Sequence, residues 1–130
     1  MIIASCASNV MLATTTLQVS MGGTNTGNLK TVLSAENLNT CEYLVLNGEI
    51  DARDFKTMRD AMPALTTVDL RSADIAEYSG TEGTAGTDEF TYEANEIPSD
   101  AFNNKSTLTT IYLPTSCTKI GKYAFYNCSY

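Results

Sequence analysis

A spacing of 23 residues governs what this chain can fold into. Ile97 and Ile120 lie 23 positions apart, and so do Phe102 and Phe125. Around them, Ile97-Pro98-Ser99-Asp100-Ala101-Phe102-Asn103-Asn104 aligns with Ile120-Gly121-Lys122-Tyr123-Ala124-Phe125-Tyr126-Asn127. A second motif recurs with the first. Ala64-Leu65-Thr66-Thr67-Val68-Asp69-Leu70 matches Thr107-Leu108-Thr109-Thr110-Ile111-Tyr112-Leu113. Thr40-Cys41-Glu42-Tyr43-Leu44-Val45-Leu46 fits the same frame, with Cys41 in the first leucine's place. Cys41 to Leu65 is 24 positions, and Leu65 to Leu108 is 43, one period plus an insertion of about 20. Ile50 and Phe55 repeat the isoleucine-to-phenylalanine step. A period of this length marks a stacked array. One unit holds a strand and a turn, too little to bury its own apolar side, so neighbouring units must cover one another.

Stacking fixes the expected geometry. Leu44, Val68 and Ile111 form one apolar column, Leu46, Leu70 and Leu113 the next, and Phe55, Phe102 and Phe125 a third on the opposite wall. Strands one period apart pair in parallel at about 4.8 Å. Residues between the leucines (Glu42, Tyr43, Thr66, Thr67, Asp69, Thr109, Thr110 and Tyr112) are then partly outward and form the exposed face of the sheet. The expected fold class is α/β: a short solenoid with parallel strands, about three repeats of about 23 residues over 39–130, preceded by a strand/helix cap over 14–38. In the cap, residues 14–19 alternate as a strand. Asn28 takes the N-cap position of a helix whose face carries Leu29, Val32 and Leu33 and which ends near Leu38. Residues 42–46, 66–70 and 109–113 are the expected repeat strands, the first closed by Asn47-Gly48 and the last by Pro114. Asp51 caps a second helix with Phe55, Met58 and Met62 on one face, ended by Pro63. An acidic Gly/Thr insertion at about 76–96 reads as a solvated loop, with Gly80, Gly83 and Gly86 as flexible positions.

The pattern L-x-x-(I/V)-x-L-P followed by I-G-x-x-A-F-x-x-C resembles the BspA-like leucine-rich repeats of bacterial surface proteins. It is carried best by Leu108-Thr109-Thr110-Ile111-Tyr112-Leu113-Pro114 and by Ile120-Gly121-Lys122-Tyr123-Ala124-Phe125-Tyr126-Asn127-Cys128. The resemblance implies a curved leucine-rich-repeat solenoid, export to the cell surface or medium, and a non-enzymatic role in adhesion or in binding host and extracellular proteins. It identifies no binding residue. The long insertion departs from the pattern.

Charge and composition narrow the function classes. The net charge is −7, which disfavours nucleic acid and anionic membrane surfaces and leaves protein or glycan as partner. There is no histidine, so Ser-His-Asp and Cys-His mechanisms cannot be built, and no cofactor or metal site is expected. No Trp is present, but there are seven Tyr. Tyr43 and Tyr112, together with Thr67, Asp69 and Thr110, are the candidate ligand-binding residues on the outward strand face. Acidic residues of the insertion lack a D-x-D-x-D-G calcium pattern. Cys41, Cys117 and Cys128 read as small buried hydrophobes, with a Cys117–Cys128 bridge as the alternative; no C-x-x-C supports zinc. Residues 1–13 are small, apolar and uncharged, the pattern of an export-signal remnant or a loose terminus. Ile3-Ala4-Ser5-Cys6 resembles a lipoprotein cleavage motif, making Cys6 a candidate lipidation site. The last repeat has an open apolar edge, through which a homodimer or a structural role as cap or spacer in a larger surface protein is conceivable.

Overall fold

The computed structural model describes residues 15–129. Residues 1–13, with Cys6, lie outside them. Four strands form a parallel sheet in the order β1 (Thr16–Ser20), β2 (Tyr43–Ile50), β3 (Thr67–Ile75) and β7 (Thr110–Tyr112). The register places Leu17 beside Leu44, Leu44 beside Val68, and Val68 beside Ile111. The expected first column therefore exists, and β1 of the cap extends it by one member. Leu17, Leu44 and Val68 are buried, as are Val19, Leu46 and Leu70 of the next column.

The strands run longer than their sequence signals. β2 continues through Asn47-Gly48 to Ile50, and β3 continues to Ile75. Gly48 permits this passage. It takes φ +89°, and a Cβ there would strike the Met21 carbonyl. A bulge intervenes, because Val45 pairs with Asp69 but Asn47 pairs with Ser72. Leu70 and Arg71 thus stand opposite Leu46 alone, a two-against-one bulge. Beyond it, Ile50 pairs with Ile75. The same isoleucine position recurs in a short parallel ladder between β6 (Glu96–Ile97) and β8 (Lys119–Ile120).

The phenylalanine column is present. Phe55 and Phe102 meet edge to face at 5.8 Å between centroids, and Phe102 stacks on Phe125 at 5.9 Å. Phe55 and Phe102 are fully buried; Phe125 is half-buried. The turn modules also bond through their backbones, with Asp100, Phe102 and Asn104 N–H donating to Lys122, Ala124 and Tyr126 carbonyls.

The cap differs from expectation in its helix. One helix to Leu38 is replaced by α1 (Leu29–Val32) and α2 (Ala35–Thr40). Leu33 is extended, and Ser34 restarts the helix by accepting from Asn37 N. Asn28 takes the N-cap position of α1 as expected, but its side chain makes no capping bond; its amide donates to the Thr24 carbonyl. The buried Asp54 supplies the missing acceptor from α3 (Ala52–Asp60), taking the Leu29 N–H at 3.0 Å and the Gly27 N–H at 2.8 Å. Asp51 does cap α3, as expected, with Asp54 returning a bond to Asp51 N.

The insertion is a solvated loop only in part: residues 81–89 are irregular and mostly exposed. It carries an antiparallel hairpin of β4 (Tyr78–Gly80) and β5 (Phe90–Tyr92). Tyr92 is buried, and its hydroxyl accepts from Ala85 N. Thr84 is buried and donates to the Ser99 carbonyl. Gly83 is closely packed rather than flexible, since a Cβ there would collide with the Tyr92 ring. The chain leaves the stack at Ile75 and returns at Asn95, whose N–H donates to the Ile75 carbonyl.

Candidate binding face

The outward residues of the parallel strands gather into two rows. Thr16, Tyr43, Thr67 and Thr110 occupy one, and Gln18, Val45, Asp69 and Tyr112 the next. All five residues singled out in the sequence therefore share one face: Tyr43, Thr67 and Thr110 as consecutive partners across three strands, Asp69 and Tyr112 as partners in the adjacent row. Parallel pairing in register is what brings together residues 43, 67 and 110. Tyr112 is exposed, and Tyr43, Thr67 and Thr110 are partly exposed.

Asp69 departs from the expectation of an open side chain, being only 8% exposed. Arg71 covers it. The guanidinium makes a bidentate pair with the carboxylate, Nε to Oδ1 at 3.0 Å and Nη2 to Oδ2 at 2.7 Å. Arg71 N also donates to Oδ1. This pairing holds the Asp69 carboxyl below the usual carboxylate range. The Arg71 guanidinium lies 4.5 Å from the centroid of the Tyr112 ring, within cation–π range. A partner approaching this face meets Tyr43, Arg71 and Tyr112, with Asp69 fixing the arginine from below.

Arg71 was absent from the sequence-derived set because the repeat frame closes at Leu70. Its signal was present in Asp69-Leu70-Arg71, opposite charges two residues apart on a strand, which share a face. The bulge lengthens β3 just there and aims Arg71 over the sheet.

Among the described residues no group of three or more Cys, Asp or Glu could hold a metal ion. The thiols are also placed for packing. Cys41 is fully buried, with burial pushing its thiol up to about 11. Cys117 and Cys128 are both free, so they form no bridge, and burial also raises the Cys128 thiol. A protonated thiol is a poor nucleophile.

Residues 86–130 match the family model described as BspA type leucine rich repeat region (6 copies). This segment belongs to the BspA-type leucine-rich-repeat family. The match takes in the second half of the insertion, both turn modules and β7. Strands β1, β2 and β3 lie before it and pair in parallel with one another and with β7. No curated protein matches the chain. No described helix is long and apolar enough to cross a membrane.

Proposed function

We propose that this is a non-enzymatic leucine-rich-repeat module of a secreted or cell-surface protein, whose outward sheet face binds an extracellular protein in adhesion or host interaction. The observation that carries the reading is the Tyr43–Arg71–Tyr112 cluster across three neighbouring strands. Tyrosine and arginine are the residues enriched where protein interfaces concentrate their binding energy. Here the three stand on paired strands rather than on a loop, which reduces the ordering entropy that opposes binding. The BspA-type match supports a repeat scaffold for binding. Biolayer interferometry against immobilised matrix proteins tests the reading. Binding by the wild type and its loss in Tyr43→Ala/Tyr112→Ala supports it; binding that the double variant retains removes the sheet face as the site. Fractionation of cells expressing Cys6→Ser tests surface anchoring by lipid, which requires the variant to leave the membrane fraction.

A second reading, a structural cap or spacer that packs against another unit, is favoured by one observation. Leu113, Ile120, Tyr123 and Tyr126 are exposed at the end of the stack, Ile120 by 52%. A homodimer through this face would be abolished by Ile120→Lys in sedimentation analysis, and a wild type that sediments as a monomer at all concentrations removes that assembly.

A further inference from the structure

A cleft of about 290 Å³ opens between α1 and α3 and shares no residue with the sheet face. Lys30, Thr31, Arg53, Lys56 and Thr57 line it, with Glu82 of the insertion at its edge. Three of the chain's eight Lys and Arg residues converge here, in a protein of net charge −7. Among the described residues, Lys30 and Lys56 have no carboxylate within ion-pair distance. The acids nearby are mostly committed elsewhere. Asp60 also lines the cleft, but both its oxygens are held by Arg59, Oδ1 by Nε at 2.8 Å and Oδ2 by Nη2 at 2.9 Å. Arg53 is fixed by Asp51 at 2.7 Å and lies 4.6 Å from the centroid of the Tyr78 ring. The cleft thus holds two ammonium groups without an ion-pair partner, with the exposed Glu82 carboxylate at its edge and Asp60, already bonded by Arg59, within electrostatic reach of Lys56.

The hydroxyls add a second requirement. Thr31 Oγ1 donates to the Asn28 carbonyl and Thr57 Oγ1 to the Arg53 carbonyl. Each keeps lone pairs that can accept from a ligand hydroxyl. The cleft is at the small end of ligand-sized cavities, and its walls are polar. A ligand that satisfies these walls is compact, carries one negative charge and bears several hydroxyls.

We propose that this cleft binds a single anionic sugar residue, its carboxylate or sulfate held between Lys30 and Lys56 and its ring hydroxyls facing Thr31 and Thr57. The site is separate from the sheet face, so either can fail without the other. An amide-shift NMR titration of the whole chain at fixed ionic strength tests it, with glucuronate, galactose 6-sulfate, neutral glucose and acetate as probes. The expected result is saturable shifts at Gly27, Thr31 and Thr57 with one or both acidic sugars, the better of them showing which oxyanion is preferred. Glucose and acetate should bind at least about tenfold more weakly, since each lacks half of the recognised chemistry. Lys30→Gln/Lys56→Gln, at wettable positions that the core does not need, should keep the native spectrum and lose at least about tenfold in affinity. Tyr43→Ala/Tyr112→Ala should bind the sugar like the wild type. Absence of shifts with both acidic sugars, equal shifts with acetate, or unchanged affinity in the lysine variant would overturn the proposal.

Discussion

Asp54 shows how much one carboxylate can hold in a small repeat array. It accepts from the N–H groups of Gly27, Leu29 and Asp51, so it joins the start of α1 to the start of α3. Asp54→Ala would leave three N–H groups without their partner, at least one of them buried. The expected cost is about 2–4 kcal/mol, read by urea denaturation; a loss below about 1 kcal/mol would show that water replaces the carboxylate freely. Burial raises the Asp54 carboxyl above its ordinary value, more than its three backbone donors lower it. The unfolded chain therefore gives up this proton first as pH rises. Its contribution favours the folded state at low pH and declines between the unfolded value and the raised one. Asp60 and Asp69 work in the opposite sense, because Arg59 and Arg71 lower them. Their stabilisation is present above the unfolded value and is lost as pH falls through the folded one. Asp54→Asn should consequently lose stability more steeply than the wild type when pH is lowered through the carboxylate range, and parallel curves would contradict the assignment. Nothing in Asp51-Ala52-Arg53-Asp54 beyond its local capping box announces a bond to a cap about 25 residues upstream. Arg71 was nearly as hard to find, since a bulge moves it out of the repeat count.

At the scale of elements, the apolar period made the sheet and the phenylalanine column legible, because burial in a stack demands the same residue type at every turn. The period cannot say where polar bonding interrupts a helix. Leu29, Val32 and Leu33 fit one helical face, yet Ser34 offers Asn37 N a competing partner and splits the cap into two short helices. The insertion misleads for a related reason. Its Gly, Thr and acidic composition reads as loop, while its order comes from Tyr92, Thr84 and a cation supplied by α3. Arg59 donates from one nitrogen to the Thr84 and Asp100 carbonyls, both at 2.8 Å. Arg59→Ala should therefore loosen the insertion and the following turn together, at a cost of about 2–3 kcal/mol. Limited proteolysis should cut first within 80–90, and a variant as resistant there as the wild type would show that the hairpin is held by its own contacts. Gly121 makes the equivalent point between turn modules. A Cβ at this position would collide with the Ser99 amide and the Ile97 carbonyl, both backbone. Gly121→Ala should destabilise by about 1–3 kcal/mol in the same denaturation assay.

Across the whole molecule, stability should grade along the stack. β2 and β3 pair over seven positions and β1 and β2 over five, but β3 and β7 pair over three. The first and second apolar columns are buried at Leu17 and Val19, whereas at the other end Ile111 is half-buried and Leu113 exposed. In a linear array each unit is stabilised only by its neighbours, so the unit with one poorly covered side opens first. Phe102 is the link that delays this opening, since it touches both Phe55 and Phe125. Phe102→Ala removes a fully buried ring and should cost about 3–5 kcal/mol. Phe125→Ala removes a half-buried one and should cost about 1–2 kcal/mol, in proportion to the smaller area it hides. Native-state hydrogen exchange separates this account from a uniformly cooperative fold. Amides of β7 and of residues 120–127 should exchange fastest among the hydrogen-bonded set, with β2 and β3 slowest. Phe125→Ala should accelerate the first group and leave β2 unchanged, while Phe102→Ala should bring the exchange of both turn modules close to that of an open segment. If one free energy describes every strand in all three proteins, the stack is not a sum of coupled units, and a face spread over β2, β3 and β7 owes its rigidity to the domain as a whole.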